Sequence, residues 1–295
     1  MKHNLKITAI LLTIFLLAQF VGLAIIYNYI DPQKSLEEGK TVFKELPIGE
    51  RPPIEEDTSF IPIMIAILIG TGILFLLMKF NLTLVWKLWF LVAIVLSLTV
   101  AGSAFLQAKV ALFIALILGL WKVFKPNVWI QNLTEIFIYG GLAAIFVPLI
   151  NLYSAIILLI LISGYDAYAV WKSKHMIKLA ESQTKAKIFA GLLIPYINGK
   201  NEKVSKVESK EKVMVPSSIR TAVLGGGDIG FPLIFAGVIL KEWGLWQSLV
   251  IPIFAALGLA LIFWKGEAKK FYPAMPFISA GCFLGLGVVW LIMLI

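Results

Sequence analysis

The chain has 295 residues, of which 60% are hydrophobic and only 15% are charged, with a formal net charge of +9 and a mean hydropathy of +0.91. This composition excludes an ordinary water-soluble domain and indicates a protein whose surroundings are largely lipid. The positive charge suits the anionic inner surface of a membrane and requires no nucleic-acid partner.

Nine apolar segments are candidates for membrane-spanning helices, each of which needs about 20 residues. Their apolar runs are continuous and lack the two-residue alternation of a transmembrane β-strand. The segments are residues 7–30, 60–78, 88–106, 110–121, 133–150, 152–171, 221–240, 243–264 and 271–295. We therefore predict an all-α polytopic membrane protein with nine transmembrane helices.

Three of these predictions depend on lengths or boundaries. The first segment is too long for a signal peptide, and no small-residue cleavage site follows Ile30, so we expect a retained helix. The fourth is short for a span and can continue past Lys122 to Phe124 if the lysine reaches toward the interface. The fifth and sixth are separated only by Asn151, which indicates either a tight hairpin or a misplaced boundary.

The distribution of lysine and arginine predicts the orientation of the chain. With nine spans, the N-terminus shares one side with the loops at 79–87, 122–132, 172–220 and 265–270, and that side holds 20 of the 26 basic residues. The loop at 31–59, on the other side, is acidic. Because basic residues collect on the cytoplasmic side, we expect a cytoplasmic N-terminus and an outside C-terminus. The alternative is eight spans, with the fourth segment buried or re-entrant.

Three of the 17 acidic residues fall within predicted spans, namely Glu135, Asp166 and Asp228. Glu135 lies near the start of its span, where its carboxylate can reach the interface, so we assign it no further role. A charged carboxylate at mid-span costs at least about 2.5–3.5 kcal/mol, so the two aspartates require an explanation. The helical rise places them about 9 and 12 Å below the same face, on consecutive spans. We therefore expect the two carboxyls to face each other.

Small residues surround both aspartates, most clearly the run Gly225-Gly226-Gly227 before Asp228. Each glycine weakens a helix by about 1 kcal/mol relative to alanine. Loosened backbone at membrane depth is tolerated only against protein or a wet cavity, and the Gly226/Gly230 spacing permits close approach of another helix. The run therefore predicts a closely packed, hydrated helical turn that carries Asp228.

Two acids that share a site cannot both ionise easily, so the pair retains one proton near neutral pH. One carboxylate can then act as a base toward water while the other carboxyl donates a proton to a peptide carbonyl. The only histidines, His3 and His175, lie outside the predicted spans, so a histidine-activated nucleophile or an HExxH zinc site in the membrane is excluded. We expect no metal and no cofactor.

A transporter that uses the two aspartates as a proton or cation relay is, from these residues alone, an equally good interpretation. Against it, the chain shows no convincing internal repeat, and the predicted spans contain no basic residue to counter an anionic substrate.

Three short motifs on the last four spans resemble the YD, GxGD and PAL motifs of the presenilin and signal peptide peptidase family. The order, the spacing and the count of nine spans match, and the resemblance covers essentially the whole chain, most clearly 152–295. The residues that carry the motifs are Tyr165, Asp166, Gly225, Gly226, Gly227, Asp228, Pro273, Ala274 and Met275. Met275 stands where the family usually has leucine, and we expect little effect from this change.

The resemblance implies an intramembrane aspartyl protease that cuts transmembrane helices. Asp166 and Asp228 would be its catalytic pair, with the other motif residues supporting them. Residues 1–151 would form helices one to five, and residues 152–295 would form the catalytic helices six to nine with a basic cytoplasmic loop at 172–220. The compact size is similar to that of prokaryotic, archaeal members. We therefore expect a plasma-membrane protein that acts on single-span substrates in the bilayer without obligate accessory subunits.

An apolar stretch at 187–196, between the two catalytic spans, is too short to cross the membrane and is interrupted by glycine and proline. One interpretation is an interfacial segment that rests its apolar face on lipid. The other is an edge strand that pairs with unwound substrate, with Ile188, Phe189, Leu192 and Leu193 as the contact residues. The neighbouring lysine-rich region at 198–215 is expected to be disordered.

Overall fold

The computed structural model describes residues 5–172, 189–197, 219–266 and 272–294. Within these ranges the chain forms α-helices and one small sheet. The helices are α1 (Leu5–Asn28), α2 (Pro32–Glu38), α3 (Phe60–Lys79), α4 (Thr83–Ser103), α5 (Ala108–Phe124), α6 (Val128–Phe146), α7 (Leu152–Trp171), α8 (Gly226–Trp243), α9 (Leu245–Lys265) and α10 (Met275–Met293), and the strands are β1 (Gly191–Ile197) and β2 (Ile219–Gly225). Ile188 and residues 198–215 lie outside the described ranges.

Seven helices are long and apolar enough to cross a membrane, namely α1, α3, α4, α6, α7, α9 and α10. Of the other two predicted spans, α5 has only 17 residues, and the 18 residues of α8 include the charged Asp228, Lys241 and Glu242. A mostly helical, multi-pass membrane protein is therefore confirmed. The count of nine spans and the orientation of the termini stay predictions.

Helices α1 and α8 lie at the centre of the bundle. Along α1, the side chains of Leu11, Phe15 and Ile26 are completely buried, and along α8 those of Leu233 and Ile239 are as well. Helix α8 packs against α1, α6, α7, α9 and α10. Helix α3 is peripheral and turns most of its apolar side chains outward, as expected of a surface that contacts lipid rather than water.

Small residues allow α9 and α10 to approach closely. A β-carbon at Gly258 would overlap the backbone carbonyl of Phe277, and one at Gly281 would overlap the carbonyl of Phe254. In lipid, helices associate through close backbone packing rather than through the hydrophobic effect, so these glycines supply the contact surface. Cys282, the residue after Gly281, is buried.

A short connection joins α6 and α7, so the two predicted segments on either side of Asn151 are separate helices. A 3₁₀ turn at Val147–Leu149 ends α6, and the Asn151 side chain accepts a hydrogen bond of 2.8 Å from the Ser154 N–H to cap α7. Asparagine is among the best N-cap residues, since its side-chain oxygen satisfies a backbone donor at the start of the helix.

The acidic loop at 31–59 packs on the end of the bundle that is remote from the sheet. Its short helix α2 is capped by Asp31, whose carboxylate accepts from the N–H groups of Gln33 and Lys34. The Thr41 hydroxyl donates to the Lys241 carbonyl at 2.6 Å, which ties the loop to the last turn of α8.

Strand β1 pairs antiparallel with β2, in a register that places Gly191 opposite Gly225 and Ile197 opposite Ile219. The prediction that residues 221–225 begin a transmembrane helix was wrong, because these residues form strand β2 and α8 begins only at Gly226. The β-branched residues Thr221 and Val223 suit an extended backbone, and the glycine run disfavours continuation of the helix toward the N-terminus.

Candidate active site

Asp228 lies in the first turn of α8, directly after the sheet. Gly225 is both the last residue of β2 and the N-cap of α8, so the glycine run forms the junction between strand and helix. The unpaired N–H groups at a helix start carry partial positive charge, which makes this turn a favourable place for a carboxylate. The predicted loosened turn is thus a sharp change from strand to helix that presents Asp228.

Tyr139 of α6 packs against this junction. A β-carbon at Gly226 would overlap the Tyr139 hydroxyl and ring, and one at Gly230 would lie 3.6 Å from the ring. The close approach predicted from the Gly226/Gly230 spacing therefore occurs, and a tyrosine side chain fills the space.

Asp166 lies on α7, where the structure connects it to the third motif. The backbone N–H of Met275 donates a hydrogen bond of 3.0 Å to one Asp166 carboxylate oxygen. One turn before Asp166 on α7, the Ser163 hydroxyl donates a hydrogen bond of 2.8 Å to the hydroxyl of Ser279 on α10. Pro273 is buried just before α10 begins, and Tyr165 is half-buried beside Asp166. The third motif therefore positions Asp166 through its backbone.

The two aspartates lie on helices that pack against each other, and both helices contact α10. Asp166 and Asp228 are both half-buried. Asp166 is held by the start of α10, while Asp228 is placed by the junction between β2 and α8.

Glu135 is buried inside the protein, so the prediction that its carboxylate reaches the interface was wrong. Its side chain is 2% exposed and forms an ion pair with the Lys122 ammonium, which is 1% exposed. The Tyr139 hydroxyl and the Gln131 amide both donate hydrogen bonds to the same carboxylate. Helix α5 extends to Phe124, as predicted. Lys122, however, is a basic residue inside this helix, and its side chain is buried rather than directed to the interface.

Gln19 also belongs to this region, although its sequence position did not predict it. This residue of α1 is fully buried and donates a hydrogen bond of 2.8 Å to the carbonyl of Ile229, the residue after Asp228. The available signal was a glutamine in the middle of an apolar helix, since a buried amide in lipid needs partners inside the protein.

The apolar stretch between α7 and α8 does form a strand, over Gly191–Ile197. However, its edge away from β2 is occupied by α6: the Asn132 amide donates to the Leu193 carbonyl at 2.8 Å and accepts from the Leu193 N–H at 2.9 Å. Phe189 and Leu192 are buried. Strand β1 therefore lies inside the enzyme and does not offer a free edge at Leu193.

Comparison with known proteins identifies the family and the fold. A family model described as signal-peptide peptidase, presenilin aspartyl protease matches residues 55–295. The chain is also similar to the structure of a presenilin family intramembrane aspartate protease in a C222 crystal form, with 16% identity, a TM-score of 0.63, and coverage of 97% of this chain and 99% of that one. The P2 crystal form of such a protease gives 18% identity, a TM-score of 0.57 and 96% coverage of both chains. Curated protein sequences give no match.

The family model covers most of the chain and includes all three motifs. The structural similarity extends over the whole length, although at these identities it supports the fold alone. These matches do not favour the transporter interpretation. The chain therefore belongs to the signal-peptide peptidase and presenilin family of aspartyl proteases, and it is a multi-pass intramembrane aspartate protease.

Proposed function

We propose that this protease hydrolyses peptide bonds within transmembrane helices, with Asp166 and Asp228 as its acid–base pair. The observation that carries the proposal is the position of Asp228, three residues after the end of strand β2. A substrate extended along that strand would pass the carboxylate. Asp166, on the adjacent helix α7, is oriented by the N–H of Met275.

The proposed reaction uses one shared proton. The ionised carboxyl removes a proton from a water molecule as its oxygen attacks the substrate carbonyl carbon, and the protonated carboxyl donates to the carbonyl oxygen. The tetrahedral intermediate then breaks its C–N bond as the leaving nitrogen takes up a proton. We expect the two carboxyls to approach a single water when substrate is bound.

A helical substrate hides its carbonyls in backbone hydrogen bonds, so it must be extended before it is cut. We propose that β2, rather than β1, takes up the extended substrate. Since Leu193 turns its N–H and C=O toward Asn132, the opposite residue Val223 must turn its own groups to the outer side of the sheet. Within the described residues, no backbone group outside the sheet bonds to Val223, and this residue is 43% exposed.

The substrates we propose are single-span membrane proteins or peptides, because an added strand is recognised mainly through its backbone and tolerates many sequences. We further propose that the enzyme needs no obligate accessory subunit, spans the plasma membrane of a prokaryote nine times and has a cytoplasmic N-terminus. The test is cleavage of a generic single-span substrate by the purified protein in detergent, blocked by a transition-state mimic of aspartic proteases. Ion flux in liposomes without cleavage would support a transporter instead.

Val223→Pro is expected to lower cleavage by about tenfold or more, because proline removes the outward N–H that would bond to the substrate strand. Val223→Ala keeps this N–H and serves as the matched control, with near-normal turnover expected. Initial cleavage rates over a range of substrate concentrations would show the loss mainly as a higher KM. Equal rates for the proline and alanine variants would exclude β2 as the substrate strand.

Pro273→Leu is expected to reduce activity by about tenfold or more, since proline fixes the backbone that leads into the Met275 N–H, and misplacement of a catalytic group is costly. Met275→Leu keeps the backbone N–H and a similar apolar volume, so its activity should be close to that of the wild type. Turnover of both purified variants is compared at saturating substrate. A large loss in Met275→Leu would show that the methionine side chain itself has a function.

A further inference from the structure

A polar cluster lies inside the bundle beside the candidate active site. Lys122, Gln131, Thr134, Glu135 and Tyr139 form this cluster, and each is at least 94% buried. Lys122 contacts Glu135 and donates a hydrogen bond of 3.1 Å to the Thr134 hydroxyl. Burial of an ion pair seldom stabilises a protein more than apolar residues of similar volume would, so stability alone does not explain this cluster.

One arm of the polar cluster holds the sheet. The Gln131 amide that donates to Glu135 also donates to the backbone carbonyls of Phe189 and Gly191, at 2.7 and 2.9 Å. On the next residue of α6, the Asn132 amide holds Leu193 by two hydrogen bonds. Helix α6 therefore replaces a third strand along the inner edge of β1 and fixes the position of the sheet.

The other arm holds the start of α8. The Tyr139 hydroxyl donates to Glu135, and the same hydroxyl lies against Gly226, where a β-carbon would not fit. Gly226 is two residues before Asp228. The Glu135 carboxylate thus connects the sheet, through Gln131, with the turn that carries the catalytic residue, through Tyr139.

We propose that this cluster positions two parts of the active site, and that the two effects can be separated by mutation. Tyr139, fixed by the Glu135–Lys122 pair, sets the position of Asp228 for catalysis, while Gln131 and Asn132 set the position of the sheet for substrate binding. Tyr139, Gln131 and Asn132 are positioning residues, because they act through Asp228 and the strands. This inference rests on the proposed assignment of Asp228 as a catalytic residue and of the sheet as the substrate site.

The two positioning effects predict changes in different kinetic constants. Tyr139→Phe removes only the hydroxyl, and its kcat should fall by about tenfold to a hundredfold with KM unchanged, since a small misplacement of a catalytic group has this effect. Asn132→Leu removes both bonds to Leu193, so KM should rise severalfold with kcat largely retained. Tyr153→Phe is the matched control, because this exposed tyrosine lies at the start of α7, away from the cluster.

A second variant tests the same contact from the other side. Gly226→Ala places a methyl group against the Tyr139 hydroxyl and should lower kcat in the same way. If the contact positions Asp228, the double variant with Tyr139→Phe should lose less than the product of the two single losses, because both changes act on one contact. Independent, multiplicative losses would overturn the proposal.

The pH profile of kcat separates positioning from a purely structural role. Tyr139 packs against Gly226, two residues before Asp228, so a Tyr139→Phe change that moves this carboxylate should displace the profile, while a tyrosine that only fills space would leave it unchanged. Folded enzyme is counted by titration with a tight-binding inhibitor, so partial misfolding does not mimic a lower kcat. Unchanged kcat and pH profile in Tyr139→Phe would overturn the inference.

Asp228→Asn in the same assay distinguishes failure of the positioning role from failure of the proposed function. If Asp228→Asn is inactive and Tyr139→Phe behaves as the wild type, the positioning role is wrong and the proposed function stands. If Asp228→Asn cleaves normally, the proposed function fails, and with it the reason for positioning Asp228.

Discussion

Asp166→Asn and Asp228→Asn are each expected to reduce cleavage by at least about 10³-fold, because the proposed mechanism needs both carboxyls and removal of one member of such a pair disables the unit. The fold should survive both changes. Asparagine has the same shape as aspartate, and its amide oxygen can still accept the Met275 N–H at position 166. Removal of a buried charge need not destabilise a protein.

The measurement is single-turnover cleavage of a single-span substrate by purified enzyme, with thermal unfolding as the check on folding. Glu37→Gln is the control, since this exposed acid of helix α2 lies in the loop at the far end of the bundle. Retention of more than a few per cent of wild-type turnover by either aspartate variant would contradict the two-carboxyl mechanism.

Most of the helical architecture follows from composition, and the predicted segments overlap helices α1 and α3–α10. Continuous apolar runs of this length have few alternatives in lipid, because a helix satisfies its own backbone hydrogen bonds. The predicted ends of the helices were less accurate than their order along the chain. Helix α4, for example, begins at Thr83 rather than at residue 88, since Val85 and Trp86 continue the helix beyond the polar residue Lys87.

Strand β2 was not predicted, because its partner is distant in sequence. Gly191 pairs with Gly225 across more than 30 residues, and no local pattern records such a pairing. The segment at 221–225 is largely apolar and precedes a genuine helix, so it was assigned to the span. The glycine run was noticed correctly as a weak point, but it marks the end of a strand rather than a loosened turn within a helix.

The buried pair was missed because each of its members was assessed alone. Lys122 near the end of one helix and Glu135 near the start of the next were both assumed to reach the interface. Their 13-residue separation across the turn at 125–127 places them at similar depth on adjacent antiparallel helices. A basic and an acidic residue so placed can neutralise each other within the membrane, which is the pattern that would have predicted the pair.

Glu135→Leu is expected to lower the free energy of unfolding by about 3–5 kcal/mol, because it leaves the Lys122 ammonium buried without its counter-charge. A smaller loss should follow Lys122→Met, since the Glu135 carboxylate keeps its hydrogen bonds from Gln131 and Tyr139. Both variants are compared with the wild type by unfolding in detergent.

The double variant Lys122→Met/Glu135→Leu should recover most of this stability, because apolar residues of similar volume replace a buried ion pair at little or no cost. Its kcat should stay low, however, since the Tyr139 hydroxyl no longer has the carboxylate that fixes it against Gly226. A stable double variant with low kcat would show that the pair is retained for catalysis. A double variant as unstable as Glu135→Leu would contradict this, because the loss would then not arise from an unpaired charge.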